Sequence, residues 1–464
     1  MTSLRHIVEG WGNAPFIRGT GGVVSYREFA SKVIESQKQL SQAGIREGDV
    51  AMLQSIPSEA SIASLVALLD LGAHVFTSNL RWPDAMVAEA RDRIGVQYSL
   101  RPSDRGEIEI LTHRDAAASK LEGHSPSIII ATSGSTGSPK FAVLPIDALL
   151  ASARGANEVL ALHGVDCWQL SLPLFHVGGL GIVFRVMLAG ASLAVLEQGE
   201  LVESEVLKCV TFISLVPTQL YRLLRNPDAR GYLQQQRCIL IGGAPIGADL
   251  CRQALSMNLP IVPSYGLTEM GSIVTANTSF SVVDDDVVSM GRALPQREIT
   301  IAPSGEILVR GDCLFEGYLS SEGVVRETDE VGWFGTRDIG SFTNDGSLVV
   351  TGRIDSQFIS GGENIHPEMI EQALMAIPPV VAACVVPLDD PEFGQRPFAL
   401  VVSDGGTFDQ LEIIAQLKSS IPSFAVPTGI LEAPGELVTG SGKIDRRSAL
   451  RYAQERGLHR AALR

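Results

Sequence analysis

Residues 132–140 read TSGSTGSPK, a run of small and hydroxylated residues that ends in a cation. Backbone N–H groups and the hydroxyls of Thr132, Ser133, Ser135 and Thr136 can converge on one point there. Gly134 and Gly137 permit close approach, and Lys140 adds positive charge. That chemistry grips phosphate, with the polyphosphate of ATP as the natural guest. The run is not the P-loop of nucleoside triphosphatases, which needs Gly directly before Lys and Ser or Thr after it; here Pro139 precedes Lys140 and Phe141 follows. Taken alone it reads equally well as a solvated turn, so other segments must decide.

The elements around the loop argue against a floppy linker. Ile128 to Ala131 and Phe141 to Leu144 are apolar runs of strand length, which anchor it on both sides. Residues 26–100 alternate helix-like stretches such as YREFASKVIESQKQLSQAG with short apolar runs such as DVAMLQS, the grammar of a layered α/β fold. It recurs from CWQLSLPLFHVGGLGIVFRVMLAGASLAVLE through CILIGGAPI to LPIVPSYGLTEMGS. Strands there end in Gly-rich turns, where open α/β sheets put their ligand sites. Around residues 290–350 short strands and turns replace the helical period and predict a small β-rich subdomain. Beyond TGRIDSQFISGG the grammar changes again. HPEMIEQALMAI starts a helix with Pro367 in its first turn, and AACVVPL, FALVV and FDQLEIIAQLKSSI follow, enough for a module of about one hundred residues.

Composition sets outer limits. The 464 residues suggest about three domain-sized units. A net charge of -15 argues against a broad phosphate-neutralising surface, so nucleic acid is not an expected partner and an anionic ligand needs a local cationic pocket. Cysteines 167, 209, 238, 251, 313 and 384 are scattered without a C-x-x-C pair, as suits a reducing compartment better than a disulfide framework or zinc site. No signal-like apolar run opens the chain, and Ala60 to Val75 is broken by Asp70 and too short to span a bilayer. The expectation is a soluble, cytoplasmic protein without membrane insertion.

Five stretches line up in order: TSGSTGSPK (132–140), SYGLTE (264–269), GWFGTRD (332–338), GRIDSQFISGGENIHPEMIE (352–371) and GSGKIDR (440–446). Together they resemble the adenylate-forming superfamily of acyl-CoA synthetases, peptide-synthetase adenylation domains and luciferases. The resemblance implies an α/β protein: a large N-terminal domain of two layered α/β subdomains plus a small β-rich subdomain (residues 1–354), then a small mobile α+β C-terminal domain (residues 355–464) hinged near Asp355. It also implies ATP, Mg²⁺ and coenzyme A. A carboxylate attacks the α-phosphate of ATP, and because both reactants are anions, cations and N–H donors are required. Thr132 to Lys140 would cradle the departing phosphates, and Glu269 with Thr132 would help hold Mg²⁺. Gly243, Ala244 and Pro245 resemble the adenine-pocket strand end, Tyr265 would lie against the base, and Gly266 and Thr268 belong to the same nucleotide motif. Asp338 would accept from the ribose hydroxyls, with Arg353 near the sugar. Lys443 resembles the lysine that bridges acyl carboxylate and phosphate. Gly361 and Gly362 would let a pantetheine arm pass after the C-terminal domain rotates. Each residue alone has a bland reading: Asp338 a turn acid, Arg353 and Lys443 surface cations, Glu269 a carboxylate at a helix start. Their joint order favours the functional one.

The acid to be activated is read from LPLFHVGGLGIVFRVMLAG and TFISLVPTQLYRLL, which place His176, Arg185, Ser214 and Thr218 among apolar residues. The bland account is a structural ion pair for Arg185 and a core hydrogen bond for His176. SLPLFHVGGLGIVFR, SLVPTQLYRLL, SYGLTEM, GRALPQREI, GWFGTRD and PEFGQRPFALV are similar to the ortho-succinylbenzoate CoA ligases of menaquinone biosynthesis. On that resemblance Arg185, with Ser214 and Thr218, would hold the carboxylate that is spared, and His176 would shape the acid pocket. Arg337 stands where many relatives have Gly, which suits that subfamily, and Phe141 replaces a frequent Gly after the loop lysine, for which the sequence offers no reason. A ligase for another aryl or acyl acid, an adenylation enzyme loading a separate carrier protein, and a binding protein without chemistry are the rivals. A homo-oligomer is left open.

Overall fold

The structure, a computed structural model, describes residues 3–456 except 80, 81, 83, 103–107, 114–119, 122, 133–138, 197–204, 281, 284–286, 361, 362, 391, 392, 406, 407 and 440–442. The loop at 133–138 and the glycines at 361 and 362 thus lie outside the described residues.

Two large sheets carry the first part of the chain. In one, the described strands run in the order Arg292–Ala293, Ser272–Ala276, Ile261–Leu267, Cys238–Ile241, Phe212–Leu215, Cys167–Gln169, Ser192–Ala194, Pro15–Gly19 and Gly22–Ser25. Its central strands are parallel and almost wholly apolar, as expected where both faces are covered by helices. The other sheet centres on His74–Ser78 and Val50–Gln54 and includes the antiparallel pair Ser127–Thr132 and Lys140–Pro145, whose register sets Thr132 opposite Lys140. Those two strands are the apolar runs that flank the loop.

One core joins the two sheets. It packs Phe16, Tyr26 and Phe29 with Ile128, Leu144, Trp168 and Phe184. Local signals place the helices around it. Ser25 and Glu28 form a reciprocal cap that starts helix Tyr26–Gln42. Helix Glu59–Asp70 closes on Asp70, whose carboxylate accepts from the backbone N–H groups of Leu4 (2.7 Å) and Arg5 (2.8 Å). The acid that interrupts the apolar segment therefore ties down the N-terminal helix. Among the described residues no helix is long and apolar enough to cross a membrane.

A four-stranded antiparallel sheet, Arg297–Ile301, Glu306–Gly311, Phe334–Phe342 and Leu348–Arg353, is the expected β-rich unit. The C-terminal part has its own sheet, built on Val380–Asp390 and Gly394–Ser403, and its own cores around Ile370, Val385, Val401 and Leu417 and around Val386, Phe398 and Ala449. Helix Pro367–Met375 begins at the proline that announced it. The α/β architecture with a separate α+β unit is what the sequence led one to expect.

Candidate active site

Phe212–Leu215, Cys238–Ile241 and Ile261–Leu267 run parallel, so their C-terminal ends share one edge. After Ile241 the chain turns through Gly243, at φ +74°, and passes Ala244 and Pro245 before helix Ala248–Ser256. After Leu267 it enters the short turn Thr268–Met270, which carries Glu269. Tyr265 lies near the end of its strand, and its hydroxyl donates to Oδ2 of Asp338 at 2.6 Å. Arg353 donates to Oδ1 of the same carboxylate at 3.0 Å, because Asp338 and Arg353 are register partners in the antiparallel pair Phe334–Phe342 and Leu348–Arg353. Burial, reinforced by the Asp338 charge, pushes the Tyr265 phenol well above its usual range and keeps it a donor. Gly266 has a packing duty: a Cβ there would stand 2.1 Å from the carbonyl oxygen of Ser272.

The phosphate end is organised by a residue that the sequence reading passed over. The Tyr318 hydroxyl donates to Oε1 of Glu269, while Lys140 Nζ sits 4.3 Å above the Tyr318 ring. Lys140 also lies 3.0 Å from Oε1 of Glu327. One phenol thus touches both the residue expected to hold metal and the loop cation. Thr132 ends its strand beside them, its Oγ1 directed at the Lys140 carbonyl at 3.5 Å. Tyr318 left no signal in the sequence beyond lying on a short strand after the motif that supplies Glu269. Arg337, the residue in place of a frequent Gly, has φ +61°, which explains why Gly is favoured there. Phe141, the other departure, is buried with Phe76 (5.9 Å between ring centres) and covered by the Arg93 guanidinium at 4.9 Å, so it is a core residue.

Among the described residues no group of three or more His, Cys, Asp or Glu side chains forms a metal cage. Glu269 is the carboxylate expected to hold Mg²⁺, an ion commonly bound by one or two carboxylates plus phosphate oxygens of the substrate.

At the acid end, Arg185 lies in the middle of helix Val177–Ala189 and is only 2% exposed. Among the described residues no carboxylate pairs with it. Its guanidinium rests 5.2 Å from the centre of the Trp168 ring and donates through Nη2 to Ser272 Oγ at 2.9 Å, while Nε has no acceptor among the described residues. Burial and the neighbouring Arg297 charge lower its pKa to about 9. Ser214 is buried on the next strand and accepts from the Trp168 indole at 3.1 Å, so Trp168 connects two of the expected acid-site residues. His176 is a correction to the core reading: it is the exposed residue before helix Val177–Ala189, its ring 4.7 Å from that of Phe175. Thr218 enters helix Pro217–Arg225, and its side chain lies outside the described set.

Lys443 reaches this edge from the other end of the chain, its ammonium donating to the carbonyl of Gly243. It is half-buried, and desolvation lowers its pKa. Asp355 occupies the turn Ile354–Ser356 between the β-rich sheet and the C-terminal unit.

A large α/β body and a smaller α+β unit, with a lysine from the second at the strand ends of the first, define a nucleotide-using enzyme of two modules. The chain belongs to the AMP-binding enzyme family, which matches residues 4–319, and its residues 369–443 match the AMP-binding enzyme C-terminal domain. Within that family it is 34% identical to the 2-succinylbenzoate–CoA ligase of Escherichia coli K12, over 93% of each chain. An E. coli MenE variant with bound OSB-AMS superposes with a TM-score of 0.82, at 31% identity and 98% coverage of both chains. Bacillus subtilis o-succinylbenzoate CoA synthetase (MenE), in complex with the acyl-adenylate intermediate OSB-AMP, gives 0.80 at 25% identity, covering 97% of this chain and 98% of that one. The same enzyme with ATP and magnesium ion gives 0.79 at 25% identity, covering 96% and 98%.

Proposed function

We propose that this protein is an AMP-forming 2-succinylbenzoate–CoA ligase of menaquinone biosynthesis. In the first half-reaction an oxygen of the succinyl carboxylate bonds to the α-phosphorus of ATP while the bond to the bridging oxygen breaks, releasing pyrophosphate. In the second, the thiolate of coenzyme A attacks the acyl carbon and AMP leaves. Lys443 stabilises the charge that builds between carboxylate and phosphate, and Lys140 with the loop before it receives the departing pyrophosphate. Asp338 and Arg353 hold the ribose, and Tyr265 with Gly243, Ala244 and Pro245 frames the base. Mg²⁺, when bound at Glu269 and Thr132, offsets phosphate charge. Residues 355–464 then turn about Asp355, withdraw Lys443 and bring Gly361 and Gly362 to the thiol's path. The free cysteines, five of them buried, suit a reducing cytoplasm.

The observation that carries the choice of acid is Arg185, a buried guanidinium without a described acid partner. A site of that kind costs stability unless an anion enters, and a substrate with a second carboxylate supplies one. The test follows thioester formation by mass with ATP, Mg²⁺, coenzyme A and 2-succinylbenzoate, against benzoate, succinate and octanoate. Selective succinylbenzoyl-CoA is the expected product. Thioester from another acid only would overturn the substrate, and an unchanged kcat/KM for 2-succinylbenzoate in Arg185→Ala would overturn the role of Arg185.

A further inference from the structure

Ser272 opens the strand Ser272–Ala276 with φ at +114°, a conformation that side-chain-bearing residues rarely adopt. Glycine would take it without steric cost, yet the chain keeps a hydroxyl there. That hydroxyl accepts the hydrogen bond from Arg185 Nη2. The surroundings are shaped for the contact. A Cβ at Gly181, one turn before Arg185, would stand 2.7 Å from Nη2 and 3.3 Å from the Ser272 Cβ, so a larger residue there would push on the pair. Behind it, Arg297 donates to the carbonyls of Ile273 and Ser152, and Ser152 Oγ donates to the carbonyl of Gly271 at 2.9 Å. The turn carrying Ser272 is therefore held on both sides.

We infer that Ser272 is the residue that aims Arg185, retained against backbone strain so that the guanidinium presents its remaining donors to the carboxylate a dicarboxylic substrate does not use. The inference rests on the acid assignment made above. Ser272 acts through Arg185 and is a positioning residue for substrate choice. The Trp168 ring lies 5.2 Å from the guanidinium carbon and Ser272 takes Nη2, while Nε has no acceptor among the described residues.

The experiment compares full-length wild type, Ser272→Gly and Ser272→Ala on 2-succinylbenzoate and on 4-oxo-4-phenylbutanoate, which lacks only the ring carboxylate. The readout is the ratio of the two kcat/KM values, together with the thermal unfolding midpoint. Both variants are expected to lower the ratio about tenfold or more, since a charge-assisted hydrogen bond is lost. Both variants leave Arg185 Nη2 without its serine acceptor, but only Ser272→Gly relieves the strained φ, so Ser272→Gly should unfold at a higher temperature than Ser272→Ala. Two variants that differ in stability yet lose acid choice to the same extent are a result no purely structural serine would give. Wild type that selects the dicarboxylate while both variants select it equally well overturns the role of Ser272 alone. A midpoint for Ser272→Gly no higher than that of Ser272→Ala overturns the strain argument. Wild type that prefers the monocarboxylate overturns the acid assignment and this role together.

Discussion

The ammonium of Lys443 donates to the carbonyl of Gly243, joining the C-terminal unit to the strand end that follows Ile241. The contact needs a long cation from one unit and, at Gly243, a positive-φ turn in the other. On the role proposed for Lys443, this contact brings the lysine to the nucleotide side of the site, from which it must withdraw before a thiol can approach. Lys443→Ala is expected to slow acyl-adenylate formation about 100–1,000-fold while leaving thioester formation from a supplied adenylate nearly intact. Desolvation lowers the Lys443 pKa, so the ammonium is lost at a lower pH than an ordinary lysine. Adenylation should therefore fall on the alkaline side within the range usually silent for lysine, and Lys443→Arg should move that limb upward. Pyrophosphate exchange measured against pH, with thioester formation from the adenylate as the control, checks both.

Asp338 already accepts from Tyr265 and Arg353, which fixes the carboxylate before any sugar arrives. Asp338→Asn keeps an acceptor for Tyr265 but gives up the charge. The Arg353 partner is half-exposed, so the stability change should stay below about 1 kcal/mol. The KM for ATP should rise about tenfold, as loss of a charged hydrogen-bond acceptor demands. Steady-state kinetics with 2′-deoxy-ATP sharpens the test: wild type should discriminate against it and the variant much less. Equal discrimination by both would remove Asp338 from the ribose.

What the sequence made legible was local or ordered. Strand pair, Pro367 helix and β-rich unit follow from apolar period and turn residues within a few positions of each other. Motif order brought Glu269, Asp338, Arg353 and Lys443 into one reading, and the structure sets Tyr265, Asp338 and Arg353 in contact. Tyr318 and Ser272 were missed because their meaning lies in partners far along the chain: Glu269 and Lys140 for one, Arg185 for the other. Backbone strain at Ser272 has no one-dimensional signature at all. The bland core reading of His176 fails because an apolar neighbourhood in sequence becomes an exposed helix start in space. Phe141 looked anomalous against glycine only until its packing on Phe76 was visible.

His74 gives a stability prediction independent of catalysis. It is fully buried in strand His74–Ser78, and burial lowers its pKa to about 4 from 6.5, the charge of His124 adding to the effect. The unfolded chain therefore binds a proton that the folded one refuses. Stability from this group is present above pH 6.5 and is lost as pH falls toward 4, by an amount on the order of 3 kcal/mol. Denaturant unfolding between pH 7 and pH 4 should show that slope, and His74→Phe should flatten it even if it shifts the midpoint at neutral pH.

Tyr318 offers the cleanest separation of binding from scaffold. Its hydroxyl holds one oxygen of Glu269, which leaves the other to face a cation, and its ring carries Lys140. Tyr318→Phe keeps the ring, the packing against Phe315 and the seat for Lys140, and removes only the hydrogen bond. Loss of a partner that orients a metal-binding carboxylate costs about 10–100-fold in metal affinity. Calorimetric titration with ATP should then give nearly equal affinities for wild type and variant without Mg²⁺ and a deficit for the variant with it. The Mg²⁺ concentration for half-maximal pyrophosphate exchange should rise by the same factor. Because the phenol is held well above its usual range by burial and by the Glu269 charge, it stays protonated at any working pH, and the deficit should not depend on pH between 6 and 9, a window set by the ordinary tyrosine range of about 10. A variant that binds ATP equally poorly with and without Mg²⁺ would assign Tyr318 to packing and the ring alone.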